Sequence, residues 1–229
     1  MRGIATFDTF RAVIERAMED PDPPQAILAT GDLVQDETRG GYERIREVLE
    51  TCNAPVFCIP GNHDSPDIMA DVLGRPPFQF GGTMTRDNWT LILLNSFSAG
   101  DDGGRVSDAD LQWMEMALEQ NSHSHTLVCL HHHPVPMGSR WLDGVNLRNS
   151  DEFLAVVDRH PQVRGIIWGH VHQASDRLRK NVRLISTPST CSQFLPDSDS
   201  FVLDTRPPGF RWLNLDRDGT IDTDVVWLE

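Results

Sequence analysis

Four short apolar segments of the chain each end at polar residues that can bind a metal ion. Runs that are apolar throughout are typical of strands buried on both faces of a sheet. In open α/β sheets the functional site lies just outside the carboxyl ends of the strands, so these polar residues are expected to meet at one sheet edge. The segments are residues 26–30 before Gly31-Asp32, 56–59 before Gly61-Asn62-His63-Asp64, 127–130 before His131-His132-His133, and 166–168 before Gly169-His170-Val171-His172.

Amphipathic segments separate these strands. Apolar residues at helical spacing predict helices over 7–18, 40–51, 66–73 and 151–159. Ser107 is a predicted N-cap, with Asp110 at the third helical position. From residue 182 onward, short strands separated by turns predict antiparallel pairing. The alternation of strands and helices indicates a layered α/β fold.

We interpret residues 1–229 as one domain, because no linker, repeat or low-complexity tract divides them. Within it, residues 134–149 show no regular pattern and are predicted to form a loop or cap. A loop of that length in a compact domain is usually functional or contacts a partner. Trp141 and Leu142 are expected to be exposed there, and a homodimer through this loop would cover them.

Composition narrows the class of partner. The net charge of −14 argues against binding to nucleic acid or to an anionic membrane surface. No apolar run is long enough to span a membrane, and the first residues lack the apolar segment of a signal peptide. The four cysteines are widely spaced, which favours reduced thiols. These features predict a cytoplasmic protein.

The polar residues at the strand ends form a set of potential metal ligands. Asp32 offers a carboxylate that can bridge two cations, Asn62 a carbonyl oxygen, and His131, His170 and His172 imidazole nitrogens. This mixture without thiolate suits Mn, Fe, Zn or Co. Two metals roughly 3.5–4 Å apart can hold a phosphate and supply a bridging hydroxide as nucleophile. Each motif alone is more often a turn or a solvated loop, but their joint occurrence after buried strands favours the metal site.

These motifs resemble those of the calcineurin-like metallophosphoesterase superfamily. Within it, the chain is most similar to bacterial class III cyclic nucleotide phosphodiesterases, which open 3′,5′-cyclic AMP to 5′-AMP. The resemblance implies a four-layer α/β/β/α sandwich of two mixed sheets. The closer likeness rests on His131-His132-His133-Pro134-Val135-Pro136, Trp141-Leu142-Asp143, Leu147-Arg148-Asn149 and Pro188-Ser189-Thr190-Cys191.

The resemblance also implies a role for each site residue. Asp32 would bridge two metal ions, manganese or iron with zinc or cobalt as alternatives. Asn62, His131 and His170 would complete one ion, and His172 would bind the other. His63 would not bind metal but would act as general acid on the leaving oxygen. Of these residues, Asn62, His63 and His170 would contact the substrate phosphate, whereas the roles of His132 and His133 stay open between support of a ligand and exposure to water.

One departure from the family pattern has physical consequences. The family begins with a strand that ends in Asp-x-His, and these two side chains complete the metal held by His172. Upstream of Asp32 the nearest match is Phe7-Asp8-Thr9-Phe10, where a phenylalanine stands in place of the histidine. We therefore expect the first strand to be missing, a gap or exposed edge in the sheet, and a weakened second metal site.

The same departure keeps three functions open. The first is hydrolysis of 3′,5′-cyclic AMP, impaired in a polypeptide of this length. The second is action on another small phosphate ester, since one fold serves many substrates. The third is a non-catalytic scaffold on the same fold.

Overall fold

The computed structural model describes residues 3–229, so the first two residues of the predicted domain lie outside the described residues. The helices are α1 (Thr6–Met18), α2 (Arg39–Glu50), α3 (Pro66–Leu73), α4 (Asp108–Gln120), α5 (Arg140–Asp143) and α6 (Ser150–Arg159). The strands are β1 (Ile27–Ala29), β2 (Val56–Cys58), β3 (Phe78–Phe80), β4 (Gly82–Arg86), β5 (Trp89–Leu93), β6 (His125–Leu130), β7 (Val163–Trp168), β8 (Ser175–Arg179), β9 (Val182–Ser186), β10 (Gly209–Leu215) and β11 (Ile221–Trp227).

These strands form one large sheet and two small ones. The large sheet is mixed, in the order β4-β5-β6-β7-β9-β8, with β4 and β8 as antiparallel edge strands. A three-stranded sheet, β1-β2-β3, is parallel throughout. The antiparallel pair β10–β11 stands as a sheet of its own. The second layer is thus divided between a parallel sheet and an antiparallel pair.

Alternate side chains of each buried strand serve two different cores. On β6, Val128 and Leu130 pack into the cluster shared with α4 and α6, whereas Leu127 and Cys129 point into a cluster between the sheets. On β2, Cys58 packs with α2 and α3, and Phe57 points between the sheets. Because both faces of these strands are covered, their sequences are apolar throughout. The predicted α/β/β/α sandwich is confirmed.

The sequence pattern predicted the bounds of α2, α3 and α6 to within one residue. Helix α3 has the predicted bounds, and α2 and α6 begin one residue before theirs. The Ser107 side chain accepts a hydrogen bond from the Asp110 N–H at 3.0 Å and donates one to its carboxylate at 2.7 Å. The predicted cap of α4 is therefore confirmed.

The loop over residues 134–149 contains the short helix α5, which its sequence pattern did not reveal. Leu142 is 1% exposed. The Trp141 ring packs edge-on against Phe194 and Phe201, with centroids 5.2 and 5.1 Å away. The expectation that Trp141 and Leu142 would be exposed was wrong, because the chain covers them itself. The homodimer was predicted because these side chains would otherwise be exposed, so that reason for it no longer holds.

Strand β1 lies at the edge of its sheet. Its partner β2 is buried at every position, whereas all three residues of β1 are half-buried. A cavity of about 1500 Å³ borders β1, with α1 and β10 contributing other walls. Strand β1 is therefore an edge strand that borders a cavity, whereas the expected loss of a first strand stays a prediction.

The cysteines are in the state that their spacing predicts. All four are free, and Cys52, Cys58 and Cys129 are buried, as the prediction of reduced thiols requires. Across residues 3–229, the helices are too short or too polar for any of them to span a bilayer.

Candidate metal centre

His131, at the carboxyl end of β6, is the centre of the site. Its Nδ1 donates a hydrogen bond to the Thr30 carbonyl at 2.7 Å, which leaves the lone pair of the neutral ring on Nε2. That nitrogen lies 3.2 Å from Asp32 Oδ2, 3.2 Å from Asn62 Oδ1 and 3.1 Å from His170 Nδ1. The residues that follow the other three apolar segments, Asp32, Asn62 and His170, thus meet at the Nε2 of His131.

In His170 and His172, as in His131, one ring nitrogen donates a hydrogen bond to a backbone carbonyl. His170 Nε2 donates to the Val145 carbonyl at 3.1 Å, and His172 Nδ1 donates to the Ser192 carbonyl at 2.8 Å. Because a carbonyl oxygen can only accept, each bond fixes the tautomer and leaves the other ring nitrogen unprotonated. Histidines that bind metals almost always have their second nitrogen held in this way.

The donor atoms around His131 fit a cation. With His131 neutral, its Nε2, the Asp32 carboxylate, the Asn62 carbonyl and His170 Nδ1 bring four lone-pair donors together with no hydrogen between them. Such an arrangement is repulsive unless a proton or a metal ion lies among the donors. The oxygen and nitrogen chemistry matches the sequence expectation for Mn, Fe, Zn or Co.

The charges at the site show the same attraction for a cation. Burial acts to raise the pKa of Asp32, but the charge of His131, its hydrogen bond and the charge of His170 outweigh burial and hold that pKa well below its usual range. Burial acts to lower the pKa of His131, yet Asp32 raises it above the ordinary value. In contrast, burial lowers the pKa of His172 to about 4 and that of His170 well below normal.

The backbone at the site is strained. Asp32, His170 and His172 have φ values of 55°, 63° and 46°, in the left-handed region that non-glycine residues rarely adopt. Such strain persists only where the surrounding structure enforces it, and it concentrates at functional sites. Gly31 allows the loops to approach, because a Cβ there would lie 2.6 Å from the Gly61 nitrogen.

Asp64, the last residue of the Gly-Asn-His-Asp motif, ties two of these loops together. It is 1% exposed. Its carboxylate accepts hydrogen bonds from the backbone N–H groups of Gly61 at 2.9 Å and Leu33 at 3.1 Å, and from the Tyr42 hydroxyl at 3.1 Å. Burial raises its pKa. The sequence predicted no role for Asp64 or Tyr42, although the position of Asp64 in the motif was a signal for the first.

His63 lies beside the cluster but is only partly buried. Its backbone N–H donates to Asp32 Oδ1 at 2.9 Å, which fixes the loop after β2 against the loop after β1. The Gln35 side-chain amide lies 3.1 Å from His63 Nδ1. When this amide donates to Nδ1, the ring proton is on Nε2. Gln35 carried no signal in the sequence.

His132 and His133 are fully buried, so neither faces water. Ser96 Oγ accepts from the His132 backbone N–H at 3.3 Å and lies 2.8 Å from its Nδ1. No hydrogen-bond partner was found for His132 Nε2 among the described residues. Within residues 3–229, potential ligand atoms of His131, His132 and His170 lie within 4.8 Å of one another. His132 therefore belongs to the same cluster of nitrogens.

His172 stands apart from that compact cluster. Its ring is stacked on Phe194, with centroids 4.1 Å apart and planes at 10°. It lines the cavity that also reaches Asp32, Asn62 and His63. The structure thus brings Asp32, Asn62, His131 and His170 into direct contact, and His172 lies outside this group although it lines the same cavity as Asp32, Asn62 and His170.

Comparisons with known proteins agree with this fold. A family model described as "Calcineurin-like phosphoesterase" matches residues 3–174. The chain belongs to this family.

Several curated relatives carry more particular names. The chain is 40% identical over 226 residues to the "3′,5′-cyclic adenosine monophosphate phosphodiesterase CpdA" of Vibrio vulnificus, an alignment that covers 98% of this chain and 82% of the relative. The protein of the same name from Escherichia coli K12 is 38% identical, with 97% and 82% covered. A "3′,5′-cyclic-nucleotide phosphodiesterase" from Nostoc is 37% identical, with 98% and 85% covered.

Solved structures show the same fold at low sequence identity. A dimetal phosphatase from Danio rerio is 15% identical with a TM-score of 0.67, covering 90% of this chain and 84% of the other. TT1561 of Thermus thermophilus is 12% identical with a TM-score of 0.63, covering 96% and 92%.

Proposed function

We propose that this chain is a metal-dependent phosphodiesterase that hydrolyses 3′,5′-cyclic AMP to 5′-AMP. The observation that carries the proposal is the convergence of Asp32, Asn62 and His170 on His131 Nε2, at distances of 3.1–3.2 Å. The names of relatives at about 40% identity over nearly the whole chain support the choice of substrate.

The resident group would be a divalent metal, manganese or iron, with zinc or cobalt as alternatives. Asp32, Asn62, His131 and His170 would hold one ion, and Asp32 with His172 would hold a second. Bound ions would supply Lewis-acid activation of water and neutralise charge on the phosphate. The second ion would be held more weakly, because His172 has fewer neighbouring ligands than His131.

His63 would donate a proton to the oxygen that leaves the phosphorus. Its backbone bond to Asp32 holds the residue beside the cluster, and Gln35 favours the tautomer with the proton on Nε2. Asn62, His63 and His170 would also orient the phosphate. General-acid catalysis of this kind contributes about 10²–10⁴-fold to a rate.

The first test measures metal content and hydrolysis on the same preparation. The purified chain would be loaded with Mn²⁺, and its products from 3′,5′-cyclic AMP separated by chromatography. We expect 5′-AMP, together with one tightly held metal per chain. Faster hydrolysis of bis(p-nitrophenyl) phosphate or p-nitrophenyl phosphate than of the cyclic nucleotide would favour a different phosphate ester as substrate. Bound metal without hydrolysis of any ester would favour a scaffold.

The second test separates proton donation from metal binding at His63. His63→Gln should lower kcat by about 10²–10⁴-fold while metal content stays the same. His123→Gln, at an exposed position outside the site, is the matched control and should change neither quantity. Loss of metal from the His63 variant would show that His63 is a ligand and contradict its assignment as a proton donor.

A further inference from the structure

A loop with little regular structure holds one of the histidines of the metal centre. The Val145 carbonyl accepts the hydrogen bond from His170 Nε2 at 3.1 Å. Val145 lies between α5 and α6, where the chain runs through turns and makes one isolated bridge. In contrast, the Thr30 carbonyl that holds His131 directly follows strand β1. The position of the Val145 carbonyl therefore depends on contacts other than a strand ladder.

The Arg148 side chain supplies such a contact. Its Nη1 donates to the Gly144 carbonyl at 2.7 Å, one peptide before Val145. Its Nε and Nη2 donate to the Asp101 carboxylate at 3.0 and 2.7 Å, a bidentate pair that fixes the plane of the guanidinium. Arg148 thus ties the loop that contains Val145 to the loop that contains Asp101.

The loop on the Asp101 side is shaped to receive the guanidinium. The Asp101 carboxylate also accepts a hydrogen bond from the Gly103 N–H at 2.8 Å. A Cβ at Gly103 would lie 2.6 Å from Arg148 Cζ, so a larger residue there would displace the guanidinium. Hydrogen bonds from Arg148 and from the Gly103 N–H lower the pKa of Asp101 to about 2, so the pair is charged at neutral pH.

Backbone bonds join the two loops beside the metal centre. Gly104 N–H donates to the Asn146 carbonyl at 3.0 Å, and Arg148 N–H donates to the Gly104 carbonyl at 2.7 Å. A Cβ at Gly104 would overlap the His132 ring, which lies 4.8 Å from the ring of His170. The two loops that Arg148 joins therefore contact both histidines.

We propose that Arg148 is a positioning residue for the metal centre. Paired with Asp101, it fixes the Val145 carbonyl, and this carbonyl holds His170 in the orientation that binds metal. The role rests on the proposed function only in so far as the cluster binds metal. Surface ion pairs contribute little to stability, and the two side chains of this pair are 39% and 38% exposed. Loss of the pair should therefore change the geometry of the site without unfolding the chain.

The test compares Arg148→Gln with a control of the same geometry. Arg159, the last residue of α6, donates from Nε and Nη2 to Glu115 at 2.9 and 2.6 Å and from Nη1 to the Ala155 carbonyl at 2.9 Å. Arg148→Gln should lower the affinity for Mn²⁺ by about tenfold, the lower end of the range for residues that support a ligand. Arg159→Gln should leave it unchanged. Equal Mn²⁺ affinities of the two variants, measured by calorimetric titration, would overturn the proposal.

A second readout needs neither metal nor substrate. In the metal-free protein with isotope-labelled histidine, NMR should show the proton on His170 Nε2, assigned by its absence from His170→Gln. This proton should exchange with water at least about tenfold faster in Arg148→Gln than in Arg159→Gln, because the carbonyl that holds it is no longer fixed. Unchanged exchange would contradict the proposal even if metal binding were weaker. Absence of hydrolysis, with the expected metal and exchange results, would count against the proposed function alone.

Two further variants keep the positive charge and change only its geometry. Gly103→Ala places a Cβ where the guanidinium lies, and the φ of Gly103 is outside the left-handed region, so the backbone accepts alanine. Arg148→Lys cannot make the bidentate bond to Asp101. Both should shift Mn²⁺ affinity and exchange at His170 in the same direction as Arg148→Gln. Wild-type behaviour of either variant would show that the position of the guanidinium is not what matters, contrary to the proposal.

Discussion

The two sides of the metal centre differ in how many potential ligands the chain brings together there. On the closed side, Asn62, His131 and His170 converge at 3.1–3.2 Å, and both histidines are held by backbone carbonyls. On the other side, which we call open, His172 has the same kind of carbonyl bond and lines the same cavity as Asn62 and His170, but its ring is stacked on Phe194 rather than on another potential ligand. Asp32 stands between them. The difference shows that an oriented histidine is not yet a metal site, because the site also needs neighbouring ligands.

The largest expected effect comes from removing one histidine from each side in turn. His131→Ala should reduce the affinity for the tightly bound metal by more than about 100-fold, because removing a ligand costs more than removing its supporting partner. His172→Ala should leave this metal in place and lower only the weaker binding. Titration with Mn²⁺, followed by metal analysis after dialysis, measures both. Equal loss of tight metal from the two variants would show that the sides are not separate.

The next effect concerns the support beneath the closed side. Asp64→Asn replaces one acceptor oxygen by a donor amide that faces backbone N–H groups, so it should lower the free energy of unfolding by about 2–3 kcal/mol. Tyr42→Phe removes two hydrogen bonds, the one donated to Asp64 and the one accepted from the Ser65 N–H, and should cost about 2 kcal/mol. Urea denaturation of both variants and of the double variant measures the coupling. Strict additivity would indicate that Tyr42 does not act through Asp64.

A smaller effect is expected from pH. A proton on His131 takes the place of the metal, and Asp32 raises the pKa of His131 above its ordinary value of 6.5. Metal affinity should therefore be constant at high pH and fall as pH drops through that raised pKa, by up to about tenfold per pH unit for one proton. Calorimetric titration in buffers of different ionisation enthalpy would count the proton released. Metal uptake without proton release near neutral pH would contradict this assignment.

The smallest effect is expected from a substitution far from both sides of the metal centre. Ser107→Ala removes the cap of α4 and should cost about 1 kcal/mol of unfolding free energy. Metal content and hydrolysis should stay the same, which makes this variant a control for loss of stability alone. A change in metal binding in this variant would show that a loss of stability alone reduces metal binding. The effects of the variants above could then not be assigned to the metal centre.

The ends of the buried strands could be predicted because they are local features. An apolar run followed at once by Asp32 or His131 marks both the strand and the residue at its end. The N-cap at Ser107 is equally local. These signals bring Asp32, Asn62, His131, His170 and His172 to one edge of the sheet, whereas the division of these residues between two ions came from the resemblance to the family.

Contacts between distant segments could not be predicted in the same way. Gln35 approaches His63, and Tyr42 reaches Asp64, from parts of the chain with no motif of their own. The cover over Trp141 comes from two phenylalanines, Phe194 and Phe201, that lie far downstream. Helix α5 is a single turn, too short to leave a periodic pattern. Such features depend on tertiary packing rather than on local propensity.

The presence of one carboxylate among nitrogen ligands has a practical consequence for metal supply. Sites rich in imidazole follow the Irving–Williams order, so copper and zinc displace manganese and iron wherever all are present. The closed side offers Asp32 as its single charged ligand and imposes no thiolate to change that order. The metal recovered with the purified chain will therefore record which ions were available during expression. A manganese form should be obtained by growth with added manganese and purification in buffers cleared of zinc.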